Sequence, residues 1–315
     1  MSHYLGVDIG GSSVKWTTAD RDGDFSAVQS RKTPLKPSAL VSLVSRIAGD
    51  VPAPLDGVCV GTPGQVDPEG TIRGAAVNLT NWGDRPLQEI LAQELSLPVI
   101  VKNDTNLALL AESAIGAAAG CRNVLGVFLG TGVGGALLLD GRLYEGHGGL
   151  AGEIGHTVVD PTGPACGCGQ RGCLERYASA SGIQEQLRSR AEELRSPLAE
   201  WTREHQKSVP LAEFFRFLED RDELARVVMD TALDALARAI GVAVNTLAPE
   251  MVVIGGGLVE GYPAIVEAVA ARLERYSLKM SRRQSALVPA ALGYRAGAIG
   301  AALFALERFS GSGRG

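Results

Sequence analysis

The stretch YLGVDIGGSSVKWTTADRDG (residues 4–23) opens the chain, and VLGVFLGTGVGGALLLDG (residues 124–141) repeats its grammar far downstream. Tyr4–Asp8 and Val124–Leu129 are apolar runs with the residue types of strands. Each enters a glycine loop, Gly10-Gly11 or Gly130–Gly135. Each leaves through a second β run, Val14–Ala19 or Ala136–Leu139. An Asp-Gly turn of the kind favoured in tight hairpins closes each unit, at Asp22-Gly23 and at Asp140-Gly141. Two such units predict a duplicated, two-lobed α/β architecture.

Between the units, Gly57–Gly61 reads as a buried strand ending in Thr62-Pro63-Gly64, and Val99–Val101 as a strand after Leu97-Pro98. Leu107–Ala118 has the apolar density of a helix, with Thr105 and Asn106 as cap candidates and Asp104 at its positive end. Beyond residue 141, helices are predicted over Gly182–Arg195, Leu211–Phe217 and Leu224–Leu247. Met251–Ile254 follows as a strand, Gly255–Gly257 as a turn, then a helix from Pro263 to about Tyr276. A last helix covers Ala296–Arg308, and Ser310–Gly315 is expected to be a disordered tail.

The 315 residues exceed the usual size of one compact unit. Hydrophobic residues at 45% and charged residues at 21% describe an ordinary globular chain with a sizeable core. Aromatics at 5% argue against stacking platforms for single-stranded nucleic acid. A net charge of −5 argues against a phosphate-backbone footprint. The most apolar windows are short and rich in glycine, so no membrane span is expected. Met1-Ser2-His3-Tyr4 lacks the basic and apolar regions of a signal peptide. The expected location is the cytoplasm, with neither nucleic acid nor membrane as partner.

His156, Cys166, Cys168 and Cys173 fall within 18 residues. One imidazole and three thiolates are the donors of a closed tetrahedral zinc site, and a reducing interior disfavours disulfides. Gly167, Gly169 and Gly172 let the backbone wrap an ion. Structural zinc is therefore expected, with free or redox thiols as the alternative; Cys59 and Cys121 read as ordinary packing residues. Gly130-x-Gly132-x-x-Gly135 matches the dinucleotide fingerprint literally, but that motif must open a helix, and here it feeds a β run. What remains is a backbone loop able to approach an anion, with the Thr131 hydroxyl as an extra donor. In the first loop Asp8 can position Mg²⁺ or its waters, the Ser12 hydroxyl can donate to phosphate, and Lys15 adds positive charge.

DIGGSSVK (8–15), NDTN (103–106), LGTGVGG (129–135), GEIGH (152–156) and CGCGQRGCLE (166–175) stand in the order that resembles the ROK (repressor, open reading frame, kinase) family of sugar kinases, bacterial glucokinases above all. The similarity runs from residue 4 to about 305. It implies the two-lobed actin-like, hexokinase-type (ribonuclease H-like) ATPase fold, with ATP, Mg²⁺ and a hexose as ligands. On the same ground residues 1–118 would form a smaller lobe completed by helix 298–310, and 119–297 a larger lobe holding the zinc motif. The resemblance makes Asp104 the catalytic base and assigns Asn78, Asn103, Glu153, His156 and Glu175 to the sugar. It gives Gly10, Gly11, Thr131 and Gly132 to the phosphates and Gly255, Gly256 and Gly257 to the adenosine side. Ser12 replaces the usual Thr and keeps a hydroxyl, whereas Arg295 stands where a small polar or acidic residue is common. A homodimer or higher homo-oligomer is expected by the same analogy.

Transfer of a γ-phosphoryl to a sugar hydroxyl needs alignment, charge neutralisation and a base for the hydroxyl proton. Glucose is the expected substrate, followed by N-acetylmannosamine or N-acetylglucosamine, then fructose, mannose or allose. A regulator of the same family would need a DNA-binding region before the first loop, which begins at residue 8. A non-catalytic sugar binder is the remaining alternative, and the presence of Asp104 argues against it.

Overall fold

The computed structural model describes residues 3–73, 83–205 and 208–311. Strands β1 (His3–Ile9), β2 (Ser13–Asp20), β3 (Gln29–Lys32) and β4 (Leu55–Thr62) are followed by a small ribbon, β5 (Gln65–Val66) with β6 (Ile72–Arg73), and by β7 (Val99–Asn103). The first sheet runs β3-β2-β1-β4-β7. Its β1–β2 and β2–β3 pairs are antiparallel; β1–β4 and β4–β7 are parallel.

β1 is buried along nearly its whole length because both of its faces are covered. Leu5, Val7 and Ile9 pack with Leu40, Val44 and Ile47 of helix Pro37–Gly49 and with Leu87 and Leu91 of helix Leu87–Leu95. Tyr4 and Cys59 face the other way, onto Leu107 of helix Asp104–Ile115 and Ala301 and Ala305 of helix Ala296–Phe309. A Cβ at Gly6 would overlap the backbone of Ala298 and Ala302, so the glycine is what admits the last helix to the sheet.

The second sheet comprises β8 (Val124–Leu129), β9 (Val133–Leu139), β10 (Arg142–Leu143), β11 (Met251–Gly255) and β12 (Ala286–Pro289), in the order β10-β9-β8-β11-β12. β9–β10 is antiparallel, and β8–β11 and β11–β12 are parallel. Both sheets therefore place three consecutive strands on one side and two parallel strands on the other, the duplication that the repeated grammar predicts. The glycine loop ends at Gly132 and β9 begins at Val133 rather than Ala136, so Gly130-x-Gly132-x-x-Gly135 opens a strand and is no dinucleotide fingerprint.

The chain divides into two compact units: Met1–Gly120 with Ala136–Ala151 and Tyr294–Gly315, and Cys121–Gly135 with Gly152–Gly293. In the second, the 25-residue helix Glu223–Leu247 buries a stripe running from Leu224 to Val244. Its cap Asp222 accepts from Ala225 N at 3.0 Å and from the Ser196 hydroxyl and Leu198 N, each also at 3.0 Å.

Three local expectations are corrected. The helix predicted to begin at Leu107 starts at Asp104, and its cap is Asn103 rather than Thr105 or Asn106. The Asn103 Oδ1 accepts from Thr105 N at 2.9 Å and Asn106 N at 3.1 Å, which supplies acceptors to two orphan N–H groups of the first turn. Gly255–Gly257 is no open turn: Gly255 ends β11, Gly256 sits at φ 90°, and Gly257 begins a short helix, Gly257–Gly261. Helices Pro37–Gly49, Leu87–Leu95 and Pro197–His205 escape the sequence reading. Asn78 and residues 312–315 lie outside the described residues.

Candidate functional site

In the first unit, antiparallel register sets Asp8 opposite Lys15, with Lys15 Nζ 3.5 Å from Asp8 Oδ2. Asp8 is buried, and the loss of hydration raises its pKa against the opposing pull of Lys15. Gly297, in the first turn of the last helix, would bring a Cβ within 2.7 Å of the Asp8 carboxyl carbon. The bare glycine thus lets a positive helix end come close to the carboxylate. The loop between β1 and β2 is held from below: Gly10 N donates to Ser13 O at 3.0 Å, and Thr33 donates through Oγ1 to Gly10 O at 2.6 Å and through N to Ser12 O at 3.1 Å. Gly11 and Ser12 form its exposed tip.

Asp104 is the first residue of its helix and follows directly on β7. Its Oδ1 accepts from Thr105 N at 2.8 Å and from the Thr105 hydroxyl at 3.2 Å. Burial, and after it the negative charge of Asp8, push the Asp104 carboxyl up to about 6. Gly61 of β4 leaves room for the helix that Asp104 opens, since a Cβ there would stand 2.9 Å from Leu107 Cδ1. Asn103 directs its Nδ2 to Gly64 O at 3.1 Å while Oδ1 caps the helix, so two of its polar functions are already used. Lys102, one residue earlier, donates to both oxygens of Glu145 at 3.0 and 2.8 Å. No sequence pattern links these two residues, which lie 43 positions apart.

In the second unit the loop before β9 is held by a carboxylate and a helix end. Glu175 Oε2 accepts from Val133 N at 3.1 Å, and a Cβ at Gly132 would collide with that oxygen. Ser179 caps helix Ala180–Ala191; Ala180 N donates to Gly130 O at 2.9 Å, and the Ser181 hydroxyl donates to Thr131 O at 2.6 Å. Thr131 is exposed at the tip. Gly256 packs against the backbone of Leu129, immediately before the loop, where a side chain would not fit. The 152–156 segment joins the same place, because Gly155 lies against Val133 O. Thr131, Gly132, Glu175, Gly256 and the Gly152–His156 turn thus gather round one strand end, with the Glu153 side chain exposed.

His156, Cys166, Cys168 and Cys173 place one donor atom each within 4.8 Å of one another. Cys166 Sγ is 3.7 Å from His156 Nδ1, and Cys168 Sγ is 3.6 Å from Cys173 Sγ. A tetrahedral ion with Zn–S bonds of about 2.3 Å requires sulfur pairs roughly 3.8 Å apart, so the donor set fits zinc. The turn is shaped by Gly169 at φ 90° and Gly172 at φ 68°. Gly169 N donates to Cys166 O at 3.0 Å. Burial and the adjoining thiols push Cys173 up to about 12, whereas the backbone N–H of Gln170 draws the exposed Cys168 down.

The sequence matches the ROK family over residues 4–308. The chain belongs to the ROK family. It is 32% identical over 312 residues to a glucokinase of Thermotoga maritima, covering 98% of each chain. It is 32% identical over 308 residues to an N-acetylmannosamine kinase of Escherichia fergusonii, covering 96% of this chain and 97% of that one. The crystal structure of a ROK family glucokinase from Streptomyces griseus in complex with glucose and AMPPNP superposes with a TM-score of 0.80 at 27% identity, covering 96% of this chain and 99% of that one. The ROK α/β fold is thereby established for the chain. Among the described residues no helix is long and apolar enough to cross a membrane.

Proposed function

We propose that this ROK protein is an ATP-dependent hexose kinase that phosphorylates the 6-hydroxyl of its sugar, with glucose as the substrate and Asp104 as the general base. The observation that carries the reading is Asp104 itself. It is a half-buried carboxylate at a strand-to-helix junction, oriented by Thr105 and raised to about 6 by burial and Asp8. Such a group is ionised at neutral pH yet basic enough to take a hydroxyl proton as the phosphoryl group leaves ATP. Asp8 would hold Mg²⁺, whose role when bound is to neutralise phosphate charge; its buried carboxylate and its repulsion of Asp104 suit a cation partner. Lys15 offers a second positive charge, and Gly10, Gly11, Ser12, Thr131 and Gly132 offer loop backbone and hydroxyls to the phosphates. Gly255–Gly257 would border the adenosine.

Asn78, Asn103, Glu153, His156 and Glu175 would read the sugar hydroxyls. Zinc on His156, Cys166, Cys168 and Cys173 would be structural, because four protein donors leave no open position. It would fix the His156 tautomer and the start of the helical turn that carries Glu175. The lobes 1–118 with 298–310 and 119–297, a homodimer and a cytoplasmic location belong to the same reading. N-acetylmannosamine kinase is the second reading, favoured by a relative of that name at the same 32% identity as the glucokinase. The test is ADP release over glucose, mannose, fructose, allose, N-acetylglucosamine and N-acetylmannosamine. The highest kcat/KM is expected for glucose; a preference for N-acetylmannosamine selects the second reading, and no ATP-dependent phosphorylation of any sugar refutes both.

A further inference from the structure

We propose that the Lys102–Glu145 ion pair is a positioning device that anchors the glycine-rich segment 146–152 and so sets the affinity for the sugar, an inference that rests on the hexose-kinase reading. Lys102 Nζ reaches both carboxylate oxygens of Glu145, and the two side chains are only 17% and 32% exposed. Lys102 also lies over the Phe304 ring, 5.4 Å from its centroid, so its charge is held from a second side. A lysine in this setting has little rotamer freedom left to lose, which favours a fixed pair over a fluctuating surface one.

What the pair holds gives it a purpose. Glu145 is followed by Gly146, Gly148, Gly149 and Gly152, at φ 68°, 69°, 77° and 90°. Four positive-φ glycines in seven residues make a path that L-residues rarely follow and that costs much backbone entropy to order. Ala151 N donates to Glu145 O at 3.0 Å, and Gly149 lies against Val66 O where any side chain would collide. The Glu145 carboxylate is the charged anchor at its entrance, and the segment leads straight into Glu153. The other end of the anchor is no neutral surface: Lys102 directly precedes Asn103 and Asp104 on β7. One ion pair therefore ties the start of the segment that leads to a proposed sugar ligand to β7, a strand whose own backbone is held by its pairing with β4.

The full-length protein, its Lys102→Met, Glu145→Gln and Lys102→Arg variants, and the Lys102→Met/Glu145→Gln double variant test this. Steady-state kinetics on the best sugar of the panel are combined with amide hydrogen exchange over residues 146–152. Either single neutral variant is expected to raise the sugar KM about tenfold, with kcat and the KM for ATP each within about threefold of wild type. The double variant should be no worse than either single, since all three remove one shared interaction, and Lys102→Arg should retain most of the affinity. Exchange over 146–152 should accelerate in the neutral variants. Unchanged sugar KM, multiplicative losses in the double variant, or exchange in 146–152 as slow as in wild type would overturn the proposal. A wild-type protein that phosphorylates no sugar would defeat the functional reading by itself, and the exchange data would still decide whether the pair is an anchor.

Discussion

The loop between β1 and β2 and the loop between β8 and β9 occupy the same place in two sheets of identical strand order, yet they are built from different chemistry. The first takes its charges from its own strands: Asp8 and Lys15 face each other across the hairpin, and Asp104 raises the local negative charge. The second stands on strands without a charged residue, Val124–Leu129 and Val133–Leu139, and its polar partners come from elsewhere in the chain. Glu175 occupies Val133 N, and the end of helix Ala180–Ala191 occupies the carbonyls of Gly130 and Thr131. The two sheets share a backbone path with its need for glycine and differ in the side-chain chemistry set around it. An anion at the first loop would meet a lysine; at the second it would meet the exposed Thr131 and, beside Gly132, the Glu175 carboxylate.

The largest test of this division is Asp104→Asn. General-base catalysis contributes about 10²–10⁴-fold, so kcat should fall at least 100-fold while the KM values move little. The amide still accepts from Thr105 N, so the fold should not suffer. A carboxyl raised in the folded state is destabilising when ionised, so at pH 8 the variant should melt at or above the wild-type temperature. Near-normal turnover would strip the first loop's surroundings of their catalytic distinction.

Metal removal probes the other side. The cysteine block reaches Glu175 two residues after Cys173, and among the described residues no such donor cluster adjoins the first loop. Chelation or Cys168→Ser should therefore weaken sugar binding about 10- to 100-fold and lower the melting temperature by roughly 5–10 °C. Calorimetric binding of sugar and a thermal melt check both, and a metal-free protein with unchanged sugar affinity would break the link between zinc and Glu175.

Paired glycine variants separate the loops directly. In Gly132→Ala the new methyl collides with the Glu175 carboxylate, which must release Val133 N; in Gly10→Ala it meets Ser13 O at 2.9 Å and no acidic side chain. Gly132→Ala should thus raise the KM for both sugar and ATP about five- to tenfold, and Gly10→Ala that for ATP alone. Equal effects of the two variants on the sugar KM would mean that the loops are not specialised.

Part of this division was legible in the sequence, for identifiable reasons. Glycine loops, Asp-Gly turns and a Cys/His set within 18 residues are local signals, and they located both hairpins and the donor cluster. The place of Asp104, where a strand gives way to a helix, was legible too, but the helix cap was misplaced because Asn103, Thr105 and Asn106 are all good capping residues and only backbone geometry chooses among them. The Glu175–Val133 and Lys102–Glu145 contacts bridge 42 and 43 positions with no periodicity to reveal them. The short helix Gly257–Gly261 stayed hidden because three glycines in a row read as a turn.

The smallest effect isolates the electrostatics of the first loop. Asp104 is raised to about 6 chiefly by burial and secondarily by Asp8. In the metal-free, ligand-free protein, a ¹³C titration of the Asp104 carboxyl should have its midpoint near that value, and Asp8→Asn should move the midpoint downward by removing a like charge. It should not reach the ordinary carboxylate range, because the burial remains. The sign carries over to activity: a base works ionised, so kcat/KM for the sugar, which reports the free enzyme, should be full above pH 7 and fall as pH drops through about 6. A midpoint unmoved by Asp8→Asn would mean that the two carboxylates do not sense each other. The charge cluster proposed for the first loop would then reduce to a lone buried acid, leaving its contrast with the second loop to rest on Lys15.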